Sequence, residues 1–441
     1  MIFLEAFIVL GFIFLGARLG GIGIGLAGGA GVFVLANFFG VPTSESLIPI
    51  DVILVIIAVI TAIATLEVAG GLSYLVSLAK KFLEAYPKRI TIFAPIVAYL
   101  MTLLTGTGHT VFAILPIIAN LSKEQGVRPS RPLSITVVAS QIAITASPIS
   151  AALVAFAAML KPLGVSYLAI LAICIPSTFI GVLVGALVAS FQGVELVNDP
   201  IYQKKLKAGL VNRKNESTMK IPDKAKCATF CFFIAIIIIV FYAAAISPYW
   251  GVIQTPMLGR SEAILTLMLM TSLIIVIITD IDITLIPKAV TFQSGMTACV
   301  CILGVAWLGS TWVNAHIDEI KIIAGESLLH YPWLLAVVLF FSSILLYSQG
   351  ATTVAMMPIA LSLGIEPVIA IASFFAVSAL FILPTYPPLL AAVQLDETGS
   401  TRIGQYVINH PFVLPGLTTL ITTMLLGFML GHSVLNKSLF S

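Results

Sequence analysis

Long apolar runs separated by short polar breaks recur along the whole chain. An α-helix needs about 20 apolar residues to cross the hydrocarbon layer, where its backbone N–H and C=O groups find partners only within the helix. The pattern lacks the short alternating strands of a membrane barrel. It therefore predicts an all-α polytopic membrane protein with about ten transmembrane helices. These are expected near residues 2–16, 20–39, 52–70, 133–159, 167–190, 228–246, 263–279, 290–309, 368–394 and 412–434.

Two further apolar stretches, residues 90–121 and 333–364, do not fit one crossing each. Each contains two arms of about 12 to 15 residues around a polar, glycine-containing tip, and arms of that length are short for a span. A re-entrant hairpin, which enters the membrane and returns to the same side, explains both stretches. We therefore expect two re-entrant hairpins beside the ten spans.

The positions of basic residues test this topology, because loops rich in Lys and Arg stay in the cytoplasm. With ten spans and two hairpins, 18 of the 22 basic residues fall on one side of the membrane. Counting either hairpin as a full crossing would invert every later loop. The topology thus places both termini in the periplasm and the basic loop 192–226 in the cytoplasm. The four basic residues on the outer side are Lys161, Arg260, Lys321 and Lys437.

The predicted elements form two sets with the same order and opposite orientation. Residues 1–190 are the first inverted repeat, with hairpin 90–121, and residues 191–227 are a basic cytoplasmic linker. Residues 228–441 are the second inverted repeat, with hairpin 333–364. Such repeats are typical of secondary transporters, whose substrate sites lie between the repeats near the middle of the membrane.

Composition excludes several classes of function. Of the 441 residues, 59% are hydrophobic and 9% are charged, with a mean hydropathy of +1.12. Ordinary soluble domains are about 25% charged. The net charge of +3 reflects the basic loops, so the expected partner is the lipid bilayer and not nucleic acid. Cys299 and Cys301 lack metal-ligand spacing, and no HExxH, GxSxG or Walker A motif occurs. We expect no enzyme activity, no metal and no cofactor.

The two hairpin tips share one layout. In the first hairpin, Pro116 follows Gly108 by eight residues, and in the second, Pro358 follows Gly350 by eight residues. The matching tips indicate that the two hairpins have equivalent roles in the two halves.

Proline also interrupts the span that follows each hairpin. Pro148 lies within residues 145–150, and Pro384 lies within residues 383–388. Because proline removes a helical hydrogen bond, both spans should unwind at their centres. Together with the hairpin tips, four broken elements would meet near the middle of the membrane. Their helix N-termini would offer N–H groups and positive dipole ends to carboxylates without a buried cation.

Hydroxyl, amide and glycine positions around these breaks form the predicted substrate shell. A single Ser or Thr in a membrane helix more often serves helix packing, but the repeated pattern favours an anion site. The predicted substrate-binding residues are Thr107, Gly108, His109, Thr110, Gln141, Ser147, Pro148, Ser150, Ser348, Gln349, Gly350, Thr352, Thr353, Pro384 and Thr385.

The few charged or titratable residues in the apolar segments are candidates for gating or coupling. Glu67, in the third span, either couples transport or only extends from a helix end towards the membrane surface. His109, at the first tip, either takes up a proton near neutral pH or serves as a hydrogen-bond partner. After the ninth span, Asp396 and Arg402 either gate or capture substrate, or form a pair that steadies a cytoplasmic helix end.

A set of sequence motifs resembles the anaerobic C4-dicarboxylate (Dcu) transporter family over essentially the whole length. They include the first hairpin tip, both proline-containing segments and an acidic segment after the second of these. The motifs are GARLGGIGIGLAGG (16–29), GTGH (106–109), QIAITASPIS (141–150), GVAWLG (304–309), YSQGAT (347–352), ILPTYP (382–387), DETGSTRIG (396–404) and INHPF (408–412).

The resemblance implies exchange of fumarate, malate or aspartate for succinate across the bacterial inner membrane during anaerobic growth. It also implies the elevator architecture of the broader ion-transporter superfamily, in which a domain with hairpins moves against a homodimeric scaffold. Some paralogues in the family work with membrane sensor kinases, so such a kinase is a candidate partner.

Two other functions remain open on the sequence. A cation-coupled symporter of another organic anion would share this architecture. A membrane dicarboxylate sensor or regulatory subunit would bind the same ligand without moving it, although the linker 191–227 resembles no output domain.

Overall fold

In the computed structural model, the described residues form helices and connecting turns, with no strand among them. The described residues are 2–19, 22–48, 50–209, 211, 222–246, 252–316, 319, 330–346, 348–383, 386–404 and 409–436.

The α-helices are numbered in chain order within these residues. They are α1 (Ile2–Leu19), α2 (Gly23–Phe39), α3 (Ile50–Val68), α4 (Gly71–Ala85), α5 (Ile90–Thr105), α6 (Val111–Glu124), α7 (Ser130–Ile144), α8 (Ala151–Leu160), α9 (Tyr167–Ser190), α10 (Pro200–Lys207), α11 (Ala225–Ala245), α12 (Arg260–Thr279), α13 (Val290–Ala315), α14 (Leu334–Leu346), α15 (Gln349–Ser362), α16 (Pro367–Phe374), α17 (Pro387–Leu395) and α18 (Val413–Asn436).

Six helices of the described residues are long and apolar enough to cross a membrane, namely α5, α9, α11, α12, α13 and α18. The bent pair α3 and α4 makes a seventh if it is counted as one span. Other apolar helices, including α1, α2 and α14, are shorter. The chain is therefore a multi-pass helical membrane protein, as the hydropathy pattern predicts. The figure of ten spans stays a prediction.

The third predicted span continues into a helix that hydropathy does not reveal. The chain bends by 68° between α3 and α4, at Gly70, whose φ of 78° is left-handed and favours glycine. Lys80, Lys81 and Glu84 lower the hydropathy of α4. Its other face, which includes Leu83, is apolar and buried. The segment is therefore amphipathic, and a pattern based on average hydropathy misses it.

Both predicted hairpin stretches contain two helices with a tip between them. In the first, the 3-10 turn Gly108–Thr110 separates α5 from α6, and in the second, α14 is followed by α15. With its preceding turn, α5 covers 19 residues, Pro87–Thr105. This arm is longer than the sequence predicts, so its length alone does not make the first hairpin re-entrant. That topology rests on the basic loops.

The spans after the hairpins are interrupted, as their prolines predict. The first divides into α7 and α8, and Pro148 lies in the gap between them. The second consists of α16, a 3-10 segment (Phe375–Phe381) and α17, which begins at Pro387. Pro384, to which the second break is attributed, lies outside the described residues.

The helices pack in two groups, which contact each other mainly through α13 and α15. In one group, α1, α2 and α3 pack with α11, α12 and α13. The other group contains the hairpins, the interrupted spans, α9 and α18, and in it α9 packs along α18. The second arm of each hairpin contacts the later part of the interrupted span from the other half, because α6 packs on α17 and α15 packs on α8. These contacts between the two halves bring all four broken elements into one region.

Glycines allow α2 to approach α13 closely. A Cβ atom on Gly25 would lie 2.1 Å from the carbonyl oxygen of Val300, and one on Gly28 would lie 2.4 Å from the carbonyl carbon of Gly304. A Cβ atom on Gly29 would meet nothing within 4 Å. The sequence predicts a packing face spaced by four residues, through Gly21, Gly25 and Gly29, of which Gly21 lies outside the described residues. The structure confirms Gly25 but has Gly28 in place of Gly29.

Candidate functional site

Two glutamines and a tyrosine join three of the broken elements. The side-chain Nε2 of Gln349, the first residue of α15, donates hydrogen bonds to the backbone O and the side-chain Oε1 of Gln141 on α7, both at 2.9 Å. Gln141 Nε2 in turn donates to the hydroxyl of Tyr386, which immediately precedes α17. All three side chains are buried. The contact between Gln349 and Gln141 connects the two halves of the chain.

The tip of the first hairpin completes this cluster. A Cβ atom on Gly108 would lie 3.2 Å from Gln141 Nε2 and 3.2 Å from the Tyr386 hydroxyl. A distance of 3.2 Å between a Cβ atom and a neighbouring heavy atom is shorter than most such contacts in a packed protein interior. Glycine at this position therefore lets the tip backbone approach the two polar side chains.

The first tip also rests on the break between α7 and α8. The Ser147 hydroxyl donates to the backbone oxygen of Leu103 on α5 at 2.7 Å. Gly106 ends α5 with a left-handed φ of 70°, and a Cβ atom there would lie 3.1 Å from the backbone oxygen of Ile149. These contacts fix the first tip against the first break.

Two serines cap helices that begin in this region. Ser150 Oγ accepts from the Leu153 amide of α8 at 3.2 Å, and Ser348 Oγ accepts from the Ala351 amide of α15 at 3.2 Å. The first four N–H groups of a helix lack partners within it, and one cap satisfies only one of them. The helices α6, α8, α15 and α17 all begin at the tips or breaks, so their positive dipole ends lie in one region. The N–H donors come mainly from α6, α8 and α15, because α17 begins with Pro387 and Pro388, which have no N–H group.

Other predicted hydroxyls turn back to their own backbone. Thr352 donates to the Ser348 oxygen and Thr353 donates to the Gln349 oxygen, each at 2.7 Å. Thr110 donates to the Thr107 oxygen at 3.2 Å. These hydroxyls shape the tips, and their hydrogen atoms are already used locally.

For three further residues of the predicted substrate shell, the structure gives the position along the backbone. Gly350 lies in the first turn of α15, Pro148 lies in the first break, and His109 is part of the 3-10 turn at the first tip. Pro384 and Thr385 lie outside the described residues. Tyr386 is a member of this cluster that the sequence alone does not single out. Its available signal is its position, immediately after a proline break within the ILPTYP motif.

The sequence matches a family model described as anaerobic C4-dicarboxylate membrane transporter over residues 1–435. The chain belongs to this family. It is 54% identical to the C4-dicarboxylate transporter DcuA of Wolinella succinogenes, covering 99% of this chain and all of the relative. It is 51% identical to DcuA of Escherichia coli over 99% of this chain, and 38% identical to the anaerobic C4-dicarboxylate transporter DcuB of Escherichia coli over 97%. The family consists of membrane transporters and not of enzymes.

In this transporter, Glu67 lies near the end of α3. Its Oε2 accepts a hydrogen bond from the backbone N–H of Thr291, in the first turn of α13, at 3.1 Å. A carboxylate at a helix N-terminus is stabilised by the unpaired N–H groups and the dipole. The contact gives Glu67 a structural task in joining α3 to α13. A role in coupling stays a prediction.

Asp396 organises the loop that follows α17. Its carboxylate accepts hydrogen bonds from the Thr398 amide at 2.9 Å, the Ser400 hydroxyl at 2.8 Å and the Thr401 amide at 2.6 Å. Ser400 Oγ accepts from the Ser130 amide at the start of α7, at 3.0 Å. Asp396 thus steadies a helix end through Ser400. The Arg402 side chain is exposed, and the ion pairs among the described residues do not include one between Arg402 and Asp396.

Ion pairs hold the predicted cytoplasmic loops to the helices of the hairpins and interrupted spans. Lys123 at the end of α6 contacts Glu397 at 2.8 Å, and Arg128 contacts Asp199 at 2.7 Å with both side chains nearly fully buried. Burial raises the pKa of Asp199, but hydrogen bonds from backbone amides and the charge of Arg128 outweigh it and hold that pKa below its usual value. The start of the linker is therefore anchored beside α7.

A cavity of about 310 Å³ lies between α13 and the later part of α15. Its lining is mostly apolar, with residues such as Val313 and Ile359, and its polar groups include Ser310 and Asn314. It is separate from the polar cluster at the tips. An anion site requires convergent donors, so the chemistry favours the tips over this cavity.

Proposed function

We propose that this protein carries C4-dicarboxylates across the bacterial inner membrane and exchanges fumarate, malate or aspartate for succinate. The observation that supports this function most directly is the cluster of Gln141, Gln349 and Tyr386, where broken elements of both halves meet. The names of the relatives, which describe C4-dicarboxylate transporters, agree with it.

A dicarboxylate suits a region with two anion-binding ends. Helix α6 packs against α17, and helix α8 packs against α15. Each of these two pairs of helices begins at the tips or breaks. Each helix N-terminus carries about half a positive charge. We propose that one carboxylate binds at each pair of N-termini, so that no buried Lys or Arg is needed. Hydroxyl and amide groups at the tips and breaks, including the side chains of Thr107 and Thr385, would complete the shell.

For movement, we propose an elevator mechanism. The hairpins, the interrupted spans, α9 and α18 would move as one body against α1 to α3 and α11 to α13, which would form the scaffold of a homodimer. The division of the helices into two packing groups supports this assignment. The two inverted repeats, 1–190 and 228–441, would supply equivalent halves of the site to each side of the membrane in turn. Exchange follows if the loaded body crosses more readily than the empty one.

Counterflow in proteoliposomes tests this function. Purified protein is reconstituted with succinate inside the vesicles, and uptake of labelled fumarate is measured against vesicles without internal substrate. We expect internal succinate to accelerate uptake. Equal rates in both preparations would contradict exchange. Binding without any flux would point to a sensor, and dependence on an imposed sodium or proton gradient would point to a cation-coupled symporter.

A further inference from the structure

The orientation of the Gln349 amide is determined by its neighbours. The backbone oxygen of Gln141 can only accept a hydrogen bond, so the Gln349 atom that faces it at 2.9 Å must be the NH₂ group. The same NH₂ group donates to Gln141 Oε1 at 2.9 Å. The remaining side-chain atom of Gln141 is then its own NH₂ group, which donates to Tyr386. Donors and acceptors therefore run in one direction from Gln349 to Tyr386.

This direction leaves one open group at each end of the cluster. Tyr386 accepts through its oxygen, so its O–H hydrogen is available to donate. At the other end, Gln349 Oε1 has no hydrogen-bond partner among the described residues, although the side chain is only 4% exposed. Buried polar atoms are nearly always paired in folded proteins. Ten buried side-chain atoms of the described residues lack a partner, and Gln349 Oε1 is the one that lies in the cluster of Gln141, Gln349 and Tyr386. A substrate bound at this cluster could supply its donor.

We propose that Gln349 is a specificity-determining residue whose Oε1 accepts a hydrogen bond from a hydroxyl or ammonium group on a central carbon of the substrate. This inference rests on the proposed function. The Tyr386 hydroxyl donates to a substrate carboxylate. The two open groups, the Tyr386 O–H and Gln349 Oε1, are separated by the side-chain amide of Gln141. A C4-dicarboxylate with a hydroxyl or amino substituent can use both positions, whereas an unsubstituted one can use only the tyrosine.

The competing explanation is an ordered water molecule that donates to Gln349 Oε1 whatever the substrate. The two explanations differ in selectivity. A substrate donor makes the site discriminate against a substrate of the same size without that donor, because the acceptor is then left unpaired. A permanent water would leave both substrates equal.

The test uses malate and 2-methylsuccinate, which carry a hydroxyl and a methyl group at the same carbon. Each competes against labelled succinate for uptake into proteoliposomes containing the full-length protein. We expect malate to compete at least tenfold better than 2-methylsuccinate. Gln349→Met should reduce this ratio to about one, with a smaller change for succinate itself. Gln293→Met, at an exposed position on α13, is the matched control and should keep the wild-type ratio.

Several outcomes would overturn the inference. Equal competition by malate and 2-methylsuccinate in the wild type would do so, even if Gln349→Met fails to fold. An unchanged ratio in a folded Gln349→Met protein would also do so. In both cases competition with succinate would leave the proposed function intact. If no dicarboxylate competes with succinate, or succinate is not taken up, the proposed function itself fails.

Discussion

The side-chain amide of Gln349 donates to both oxygens of Gln141, 208 residues earlier in the chain, at 2.9 Å. The contact joins the second hairpin to the first interrupted span, and Gln141 continues it to Tyr386 beside the second interrupted span. Because these side chains are buried, loss of one partner leaves polar groups without hydrogen bonds. The geometry of the two breaks is therefore coupled through three side chains.

Substitution of Gln141 should weaken the site and the fold together. Gln141→Leu leaves the Gln349 NH₂ group with one acceptor in place of two and removes the donor to Tyr386. A buried polar group without its partner costs about 1–3 kcal/mol. We expect a lower thermal unfolding temperature in detergent and weaker protection by succinate. Gln293→Leu, at an exposed position of α13, is the control. Equal unfolding temperatures for the two variants would contradict this account.

Tyr386→Phe should weaken substrate binding, and it should also lower the unfolding temperature because it leaves the buried Gln141 NH₂ group without its acceptor. The change removes only the hydroxyl, and a hydrogen bond to a charged group contributes about 1.5–3 kcal/mol. We expect succinate affinity to fall by about ten- to a hundredfold, measured by competition for uptake. Tyr331→Phe, at an exposed tyrosine, should transport normally. If Tyr386→Phe binds succinate as the wild type does, the tyrosine does not contact a carboxylate.

The packing of α2 on α13 predicts opposite results at adjacent glycines. Gly28→Ala places a Cβ atom 2.4 Å from the backbone of Gly304, whereas Gly29→Ala meets nothing within 4 Å. Overpacking of this kind costs about 1–3 kcal/mol or more. Gly28→Ala should lower the thermal unfolding temperature by several degrees, and Gly29→Ala should leave it unchanged or raise it slightly. If Gly29→Ala were more destabilising than Gly28→Ala, α2 would have to be rotated about its own axis relative to the packing described here.

Asp199 should contribute more to stability than a neighbouring surface carboxylate. Asp199→Asn leaves Arg128 nearly buried without its counter-charge, and breaking a buried pair costs about 3–5 kcal/mol. Glu195→Gln is the matched control, because Glu195 pairs with Arg131 but is 62% exposed, and exposed pairs contribute at most about 1 kcal/mol. Comparable losses in unfolding temperature would show that Asp199 is solvated.

The effect of Asp199 should depend on pH in a defined direction. Its folded pKa lies below the ordinary value of 3.8. Its stabilising contribution is therefore present above the unfolded pKa and is lost as pH falls through the folded pKa. The difference in unfolding temperature between wild type and Asp199→Asn should be constant from about pH 5 to 8 and shrink below about pH 4. A difference that shrinks on going from pH 5 to 8 would contradict the assignment.

The sequence predicts most of the helices and both breaks because each depends on local properties. Hydropathy predicts the apolar helices, and proline predicts the interruption at Pro148. The missed helix, α4, has charged residues such as Lys80 on one side that hide its buried face from an average. Gly28 and Gly29 are also ambiguous, because residues three and four positions from Gly25 both lie near its face of the helix.

The site is predicted only in part for a similar reason. Gln141 and Gln349 are identifiable as amides beside the breaks, but their contact depends on how the two halves pack. Tyr386 has no distinguishing local signal beyond its position after a proline. Thr352 and Thr353 show the converse, because the sequence selects them as substrate ligands but cannot show that their hydroxyls already donate to the helix backbone.

The most direct test of the central claim is an experimental structure with bound succinate. We predict density for succinate between the two breaks, with one carboxylate within hydrogen-bond distance of the Tyr386 hydroxyl and the other at the N-termini of α8 and α15. Density in the cavity between α13 and α15, lined by Ser310 and Ile359, with the cluster of Gln141, Gln349 and Tyr386 unoccupied, would contradict the account.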